Sequence, residues 1–355
     1  SDDGGSNSFQ IMDLSTLPDS VHVVYDSDTL FYRSHTIFID GDKLYGGSVT
    51  RKSNVFYSMA VYSLTDPENP SFMRSLKDDY PAINGVHDMY VRNDTVYASC
   101  GDDGLFVYKF NSTASTPKFE ELGSLTTYPD KGYNHSTTLS PDGRIMVMCD
   151  EVPAGMAVKV LDVSDLTDIK VLSTFKSNVG ATAHNPYMIG KDKVAISCYL
   201  DGVQVYDLSN PLAPRKIEYF DTYPDNGGEY PSNNVYNGNW GAYVGLPSGV
   251  LLASDMKRGL FVLHSSLLTT KFKAPVEGDL IYPNPFLENL KVKSTNQIDE
   301  VEIRNSMGSL VLSQKYSEYT TAIELDGLSS LGVGIYFLKV KTKTDSQVYK
   351  IIKWN

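Results

Sequence analysis

The feature that most constrains this chain is a self-similar unit of about fifty residues that recurs through its first 270 positions. Each unit opens a strand on His, continues with a second strand ending in a small residue, and closes with a third carrying an apolar-x-apolar triplet. The openings are His35, His87, His135 and His184, with Trp240 in the fifth place, at separations of 52, 48, 49 and 56 residues. The matching third strands read MAVYSLTDPENP, GLFVYKFNS, VKVLDVSDLTD, VQVYDLSNPLAP and GLFVLHSS. Turn dipeptides such as Asn93-Asp94 and Asp142-Gly143 sit where tight hairpins need them. Short alternating strands at this period are the signature of a β-propeller. Five blades are expected, with residues 9–25 supplying the outermost strand of the last blade and hiding its edge. A degenerate sixth blade is the alternative.

After Leu268 the period stops. Residues 271–277 (KFKAPVE) read as a linker, and residues 278–355 hold six or seven short alternating strands, with a hairpin turn at Asn305–Gly308. That pattern predicts a small Ig-like β-sandwich with Greek-key connections. The expected organisation is all-β: a flexible tether at 1–8, a propeller at 9–270, the linker, and the sandwich at 278–355.

Composition narrows the function. Hydrophobic residues make up 41% of the 355 and charged residues 21%, which suits a folded chain. Lys and Arg number 31 against 43 Asp and Glu, a net charge of −12, and no Lys/Arg block occurs. Nucleic acid and anionic lipid are therefore excluded as general partners. No run approaches the roughly 18 apolar residues of a membrane-spanning helix, so no transmembrane segment is expected. The three cysteines, Cys100, Cys149 and Cys198, are 49 residues apart and end the second strands of their units. An odd count at a repeat position reads as reduced, buried packing residues rather than a disulfide framework or a nucleophile.

Two resemblances follow from particular phrases. VLDVSDLTD, VYDLSNPLAP and VYSLTDPENP resemble the LVIVD repeat. The stretch from Ala183 to Pro224, followed by GNWGAYVGLPSGVLLASDMKRGLFVL, is similar to the choice-of-anchor B family of extracellular propellers, over about residues 9–266. This resemblance implies an exported, surface-associated protein and no particular activity. At the other end, Tyr282-Pro283-Asn284-Pro285, Met307-Gly308, Leu328-x-x-Leu331 with Gly334-Ile335-Tyr336, and the Lys350–Lys353 end resemble the type A C-terminal sorting domain of the type IX secretion system. It implies export across the outer membrane of a Bacteroidota cell, hence an extracellular or outer-membrane-surface location. Ser1–Asn7 resembles the segment that follows the acylated Cys of surface lipoproteins in that phylum, implying a lipid anchor just before Ser1.

In a propeller, the residue that opens each inner strand sits at the mouth of the central channel. His35, His87, His135, His184 and Trp240 are expected to ring that mouth, each followed by a small or polar residue: Thr36, Asp88, Ser136, Asn185 and Gly241. The candidate ligand-binding set is His35, His87, Asp88, His135, His184, Asn185 and Trp240. One reading is a ligand pocket, or a divalent metal held by three or four imidazoles. The other is a repeat-consensus His that bonds the adjacent blade's backbone and packs the channel. No cofactor is expected, although the ring has the donor set for a divalent metal. His22 and His264 read as solvent-facing strand residues.

The turns at Asp162/Ser164, Asp207/Ser209 and Thr65/Asp66 read as Asx and ST turns rather than cation loops. The insert Asp221–Asn234, with Tyr223, Tyr230 and Tyr236, is either one wall of a carbohydrate-binding face or an ordinary solvated loop. No G-x-S-x-G, P-loop or H-E-x-x-H motif occurs. A five-bladed glycosidase needs two or three converging carboxylates, and the opening positions offer only Asp88. No catalytic residue is nominated. The expected function is a non-catalytic surface module that binds a glycan, peptide or protein partner. The alternatives are a polysaccharide hydrolase or lyase using the His ring, and a structural cell-envelope protein.

Overall fold

The computed structural model describes residues 9–17, 20–52, 54–231, 235–246, 249–265, 280–305, 309–343 and 346–354. The expected tether, the linker and most of the turn at 305–308 lie outside the described residues. The chain divides into two compact units, Ser1–Leu268 and Thr269–Asn355. Both are all-β, and the described residues contain no α-helix.

The first unit begins with a two-stranded antiparallel sheet, β1 (Phe9–Asp13) and β2 (His22–Ser27). Four antiparallel four-stranded meanders follow. The first holds β3 (Thr36–Asp40), β4 (Lys43–Thr50), β5 (Phe56–Ser63) and β6 (Ser71–Ser75). The second holds β7 (Asp88–Arg92), β8 (Thr95–Ser99), β9 (Leu105–Asn111) and β10 (Lys118–Leu125). The third holds β11 (Asn134–Leu139), β12 (Ile145–Asp150), β13 (Val158–Asp162) and β14 (Lys170–Phe175). The fourth holds β15 (Asn185–Ile189), β16 (Lys193–Ser197), β17 (Val203–Asp207) and β18 (Arg215–Phe220). A fifth sheet has three strands, β19 (Asn239–Tyr243), β20 (Val250–Asp255) and β21 (Gly259–His264). The opening strands β3, β7, β11, β15 and β19 each contact the next, so the sheets stand side by side as propeller blades do.

Strand periodicity explains why the middle strands are apolar on both faces. In β12, Met146 and Met148 pack with Tyr97, Leu105 and Val107 of the second sheet. Val147 and Cys149, pointing the other way, pack with Val194 and Ile196 of the fourth. In β16 the intervening Ala195 turns instead to Leu251 and Ala253 of the fifth. A sheet between two neighbours buries both faces, so its central strands read as continuous apolar runs. The strands farthest from the opening edge, such as β18 with its mostly exposed RKIEYF, do not. Between β7 and β8, Asn93 and Asp94 both take positive φ, 51° and 58°. This two-residue left-handed turn matches strand twist.

The expected closure differs. Among the described residues β1 and β2 pair only with each other, so residues 9–25 add no strand to the β19–β21 sheet. Phe9 stacks on Phe31 at 4.5 Å between centroids, and both join Leu44, Val49, Ala60 and Tyr62 on one face of the first sheet. That face needs apolar cover, and the two Phe rings supply it. Among the described residues β21 pairs with β20 alone.

The second unit has two antiparallel sheets. One orders β22 (Leu280–Tyr282), β23 (Leu290–Lys293) and β26 (Ala322–Leu325). The other orders β25 (Leu310–Lys315), β24 (Ile298–Asn305), β27 (Gly334–Thr342) and β28 (Ser346–Lys353). Leu290, Val292 and Leu325 from one sheet and Val301, Ile303, Leu338, Val340 and Ile351 from the other form a single core. Alternate residues of β23 are buried and exposed, as a half-covered sheet requires.

Candidate functional site

The five strand openings converge. His35 Nε2 lies 2.9 Å from His87 Nε2. Ring centroids are 4.3 Å apart for His87 and His135, 4.2 Å for His135 and His184, and 5.4 Å for His184 and Trp240. The result is one continuous row of four imidazoles ending on an indole.

Backbone pairing puts them there. The amides of His35, His87 and His184 donate to the carbonyls of Gly47, Ser99 and Ser197 on each unit's second strand. The residue after each opening then ties its sheet to the next. Thr36 Oγ1 donates to the His87 carbonyl at 3.0 Å, Ser136 Oγ to the His184 carbonyl, and Asn185 Nδ2 to the Trp240 carbonyl at 3.2 Å. Unit two breaks the series with Asp88, whose carboxylate accepts from its neighbour Met89 N–H at 2.8 Å. Of the seven sequence candidates, His35, His87, His135, His184 and Trp240 stand in the row. Asp88 and Asn185 flank it.

Sequence reasoning missed three further residues. Glu151 Oε2 lies 3.9 Å from His135 Nε2, and Glu151 Oε1 lies 4.0 Å from His184 Nε2. Tyr199 Oη donates to Glu151 Oε1 at 2.6 Å, and Tyr133 Oη is 3.1 Å from His87 Nδ1. Asp88 is thus not the only carboxylate near the openings. A signal was available: Glu151 and Tyr199 stand just after Cys149 and Cys198, at the end of the second strand that abuts each opening. Tyr199 also exchanges both backbone hydrogen bonds with Asn239, the residue before Trp240. Gly101, after Cys100, does the same with Asn134.

Burial sets the charge states. His135 and His184 are only 4% and 3% exposed, and His87 is half-buried. Desolvation holds His87 at about 3, with His35 and His184 adding like-charge repulsion. It holds His184 at about 4, against the Trp240 carbonyl, which favours the proton. His135 is held well below the ordinary value, mainly by burial and then by the other imidazoles. These three rings are therefore neutral near pH 7. Burial also raises Asp88 to about 6 and pushes Glu151 up against the opposing Tyr199 hydrogen bond. His87, His135 and Glu151 each offer a ligand atom within 4.8 Å of the others'.

The remaining candidates lie elsewhere. His22 and His264 are exposed strand residues. All three cysteines are buried and unpaired, with thiols raised by desolvation. Asp162 and Asp207 accept from the amides of Ser164 and Ser209 as Asx turns. In the insert, Tyr230 is tied down through Asp201 at 2.7 Å, and Tyr223 lies against Arg258. Tyr236 alone of the three reaches the site, edge-on to Tyr199 at 5.3 Å.

The family model described as the secretion system C-terminal sorting domain matches residues 280–354. No curated protein sequence matches the chain. Among solved structures, a Lactobacillus plantarum protein aligns with a TM-score of 0.52 at 14% identity, over 89% of this chain and 95% of that one. The Pseudomonas aeruginosa periplasmic gluconolactonase PpgL aligns with a TM-score of 0.51 at 10% identity, over 90% of this chain and 80% of that one. These two likenesses concern the fold alone. PorZ, described as an essential surface component of the type IX secretion system of Porphyromonas gingivalis, aligns with a TM-score of 0.46 at 11% identity over 91% of this chain. The chain spans 45% of PorZ's length. Among the described residues no helix is long and apolar enough to cross a membrane. The sorting domain at residues 280–354 indicates export to the cell surface or outer-membrane surface, the location expected from the sequence.

Proposed function

We propose that this exported protein is a non-catalytic recognition module whose ligand face is the histidine-lined end of a five-bladed, LVIVD-type propeller, carried on an Ig-like sorting sandwich. Its five blades are the sheets from β3 to β21, with β1 and β2 covering the first. The favoured ligand is a glycan.

The observation that carries this reading is the end of the imidazole row. Trp240 is 48% exposed beside His184, and the exposed Tyr236 packs on Tyr199, which itself packs on His184 at 4.6 Å. An exposed aromatic face beside fixed polar groups suits a sugar ring, which is apolar on its C–H faces and hydrogen-bonding at its rim. Asn185, which donates through Nδ2 to the Trp240 carbonyl at 3.2 Å, stands beside that face.

Glu151 favours a second reading, a hydrolase or lyase, because it adds a second carboxylate to the row that Asp88 flanks. A glycan array followed by product analysis separates the two. Binding without new reducing or unsaturated ends, lost in Trp240→Ala, supports the recognition module. Product release with turnover replaces it with the enzyme.

A further inference from the structure

We infer that His87, His135 and Glu151 bind one divalent transition-metal ion of the zinc class at the inner-strand openings. This inference rests on different observations from the recognition reading and stands whether or not a glycan binds.

The donor set comes first. Two imidazoles and a carboxylate are the ligand types that borderline divalent ions select. Their ligand atoms lie within 4.8 Å of one another. Bonds of about 2.1 Å in tetrahedral geometry place ligand atoms roughly 3.4 Å apart, so side-chain torsions alone can close the site. His184 stands behind as a further donor, 4.0 Å from Glu151, and the hydrogen bond between His35 Nε2 and His87 Nε2 at 2.9 Å has to open for His87 to ligate through Nε2.

The lone pairs supply a second argument. His184 Nδ1 lies 2.5 Å from the Trp240 carbonyl oxygen, which can only accept. Nδ1 must therefore carry the proton, and in the neutral ring Nε2 presents its lone pair. His184 Nε2 lies 4.0 Å from Glu151 Oε1. That separation is too long for a hydrogen bond and leaves room for an ion coordinated by both atoms at about 2.1 Å from each.

Burial supplies a third. Glu151 is 7% exposed, and among the described residues its ion-pair partners are His135 and His184, with no Lys or Arg. Buried carboxylates are normally paired with a cation or bound to a metal. Around the three ligands, Tyr133 reaches His87 and Tyr199 reaches Glu151. Such outer partners orient metal ligands and fix their lone pairs.

The test uses the full chain purified without a His tag at pH 8. It is stripped with a chelator, reloaded with Zn²⁺ or Co²⁺, desalted, and read by elemental analysis, visible absorption and melting temperature. About one equivalent, Co²⁺ ligand-field bands and a raised melting temperature are expected. Glu151→Gln should keep or raise the metal-free melting temperature and weaken zinc binding at least about tenfold, and Tyr199→Phe should weaken it by about tenfold. His22→Ala and His264→Ala should change neither. Retention below about a tenth of an equivalent, or zinc binding by Glu151→Gln equal to the parent, overturns the site. Because zinc content and glycan binding are read separately, either conclusion can fail alone.

Discussion

Lys159 Nζ lies 2.8 Å from Asp150 Oδ2 with both side chains fully buried, one residue from Glu151. The pair is well satisfied. Lys159 also donates to the Asp130 carbonyl at 2.8 Å, and Asp150 accepts from Tyr128 Oη at 3.1 Å and the Gly132 amide at 2.8 Å. The network clamps the end of β12, the strand end that carries Glu151 toward the histidines.

Removing one partner of that pair strands a buried charge. Lys159→Met should destabilise the first unit by about 3–5 kcal/mol. Asp150→Asn, which keeps some hydrogen bonds, should cost less. Urea melts read both, and a change below about 0.5 kcal/mol for Lys159→Met would show that the clamp is not a stability element.

Stability of the metal-free protein should fall with acid. In the unfolded chain imidazoles titrate near the ordinary 6.5, whereas His87 and His184 hold at about 3 and about 4 when folded, and His135 is also depressed. Unfolded chains therefore take up protons that the fold refuses as pH drops below 6.5. The stabilisation is complete above that value and is lost on the way down to the folded values. Asp88 works the other way, since its folded value of about 6 lies above the ordinary 3.8. Glu151, also raised, works in the same sense as Asp88. Three imidazoles outweigh two carboxyls. A loss on the order of 2 kcal/mol between pH 7 and 5 is expected from urea midpoints. An equal or higher midpoint at pH 5 would refute it.

Trp240 should be separable from the fold. Its ring is half exposed, and the bond to His184 uses its backbone carbonyl, which Ala retains. Trp240→Ala should change stability by less than about 1 kcal/mol. It should weaken ligand binding by about 2 kcal/mol, the usual cost of losing an aromatic anchor. Unchanged affinity in a titration with a glycan identified on the array would remove the indole from the ligand face.

Cys100, Cys149 and Cys198 should react slowly with a thiol reagent in the native protein and at once when it is denatured. Burial raises all three thiols, so almost no thiolate exists at neutral pH. A single fast native thiol would contradict the packing role.

How much of this was legible beforehand depends on the range over which the determining interaction acts. A fifty-residue period is a property of the chain itself. It placed His35, His87, His135, His184 and Trp240 at equivalent strand openings, and equivalent openings of neighbouring sheets must meet once the strands pair in register. The cysteines were readable for the same reason. The sorting domain was readable because its turns and strand ends are spelled out by local Pro, Gly and Lys positions. The place of Glu151 was marked by Cys149, but its direction was not legible, because it is set past the end of β12, where the strand rule for side-chain alternation stops. There the Lys159–Asp150 pair and the Tyr199 hydroxyl, 48 residues away, aim it. The fate of Phe9 was likewise tertiary. An alternating apolar strand fits the edge of the last blade as well as the face of the first. Stacking on Phe31, over the face formed by Leu44, Val49, Ala60 and Tyr62, decides between them, since sequence periodicity records which face of a strand is apolar but not which neighbour covers it.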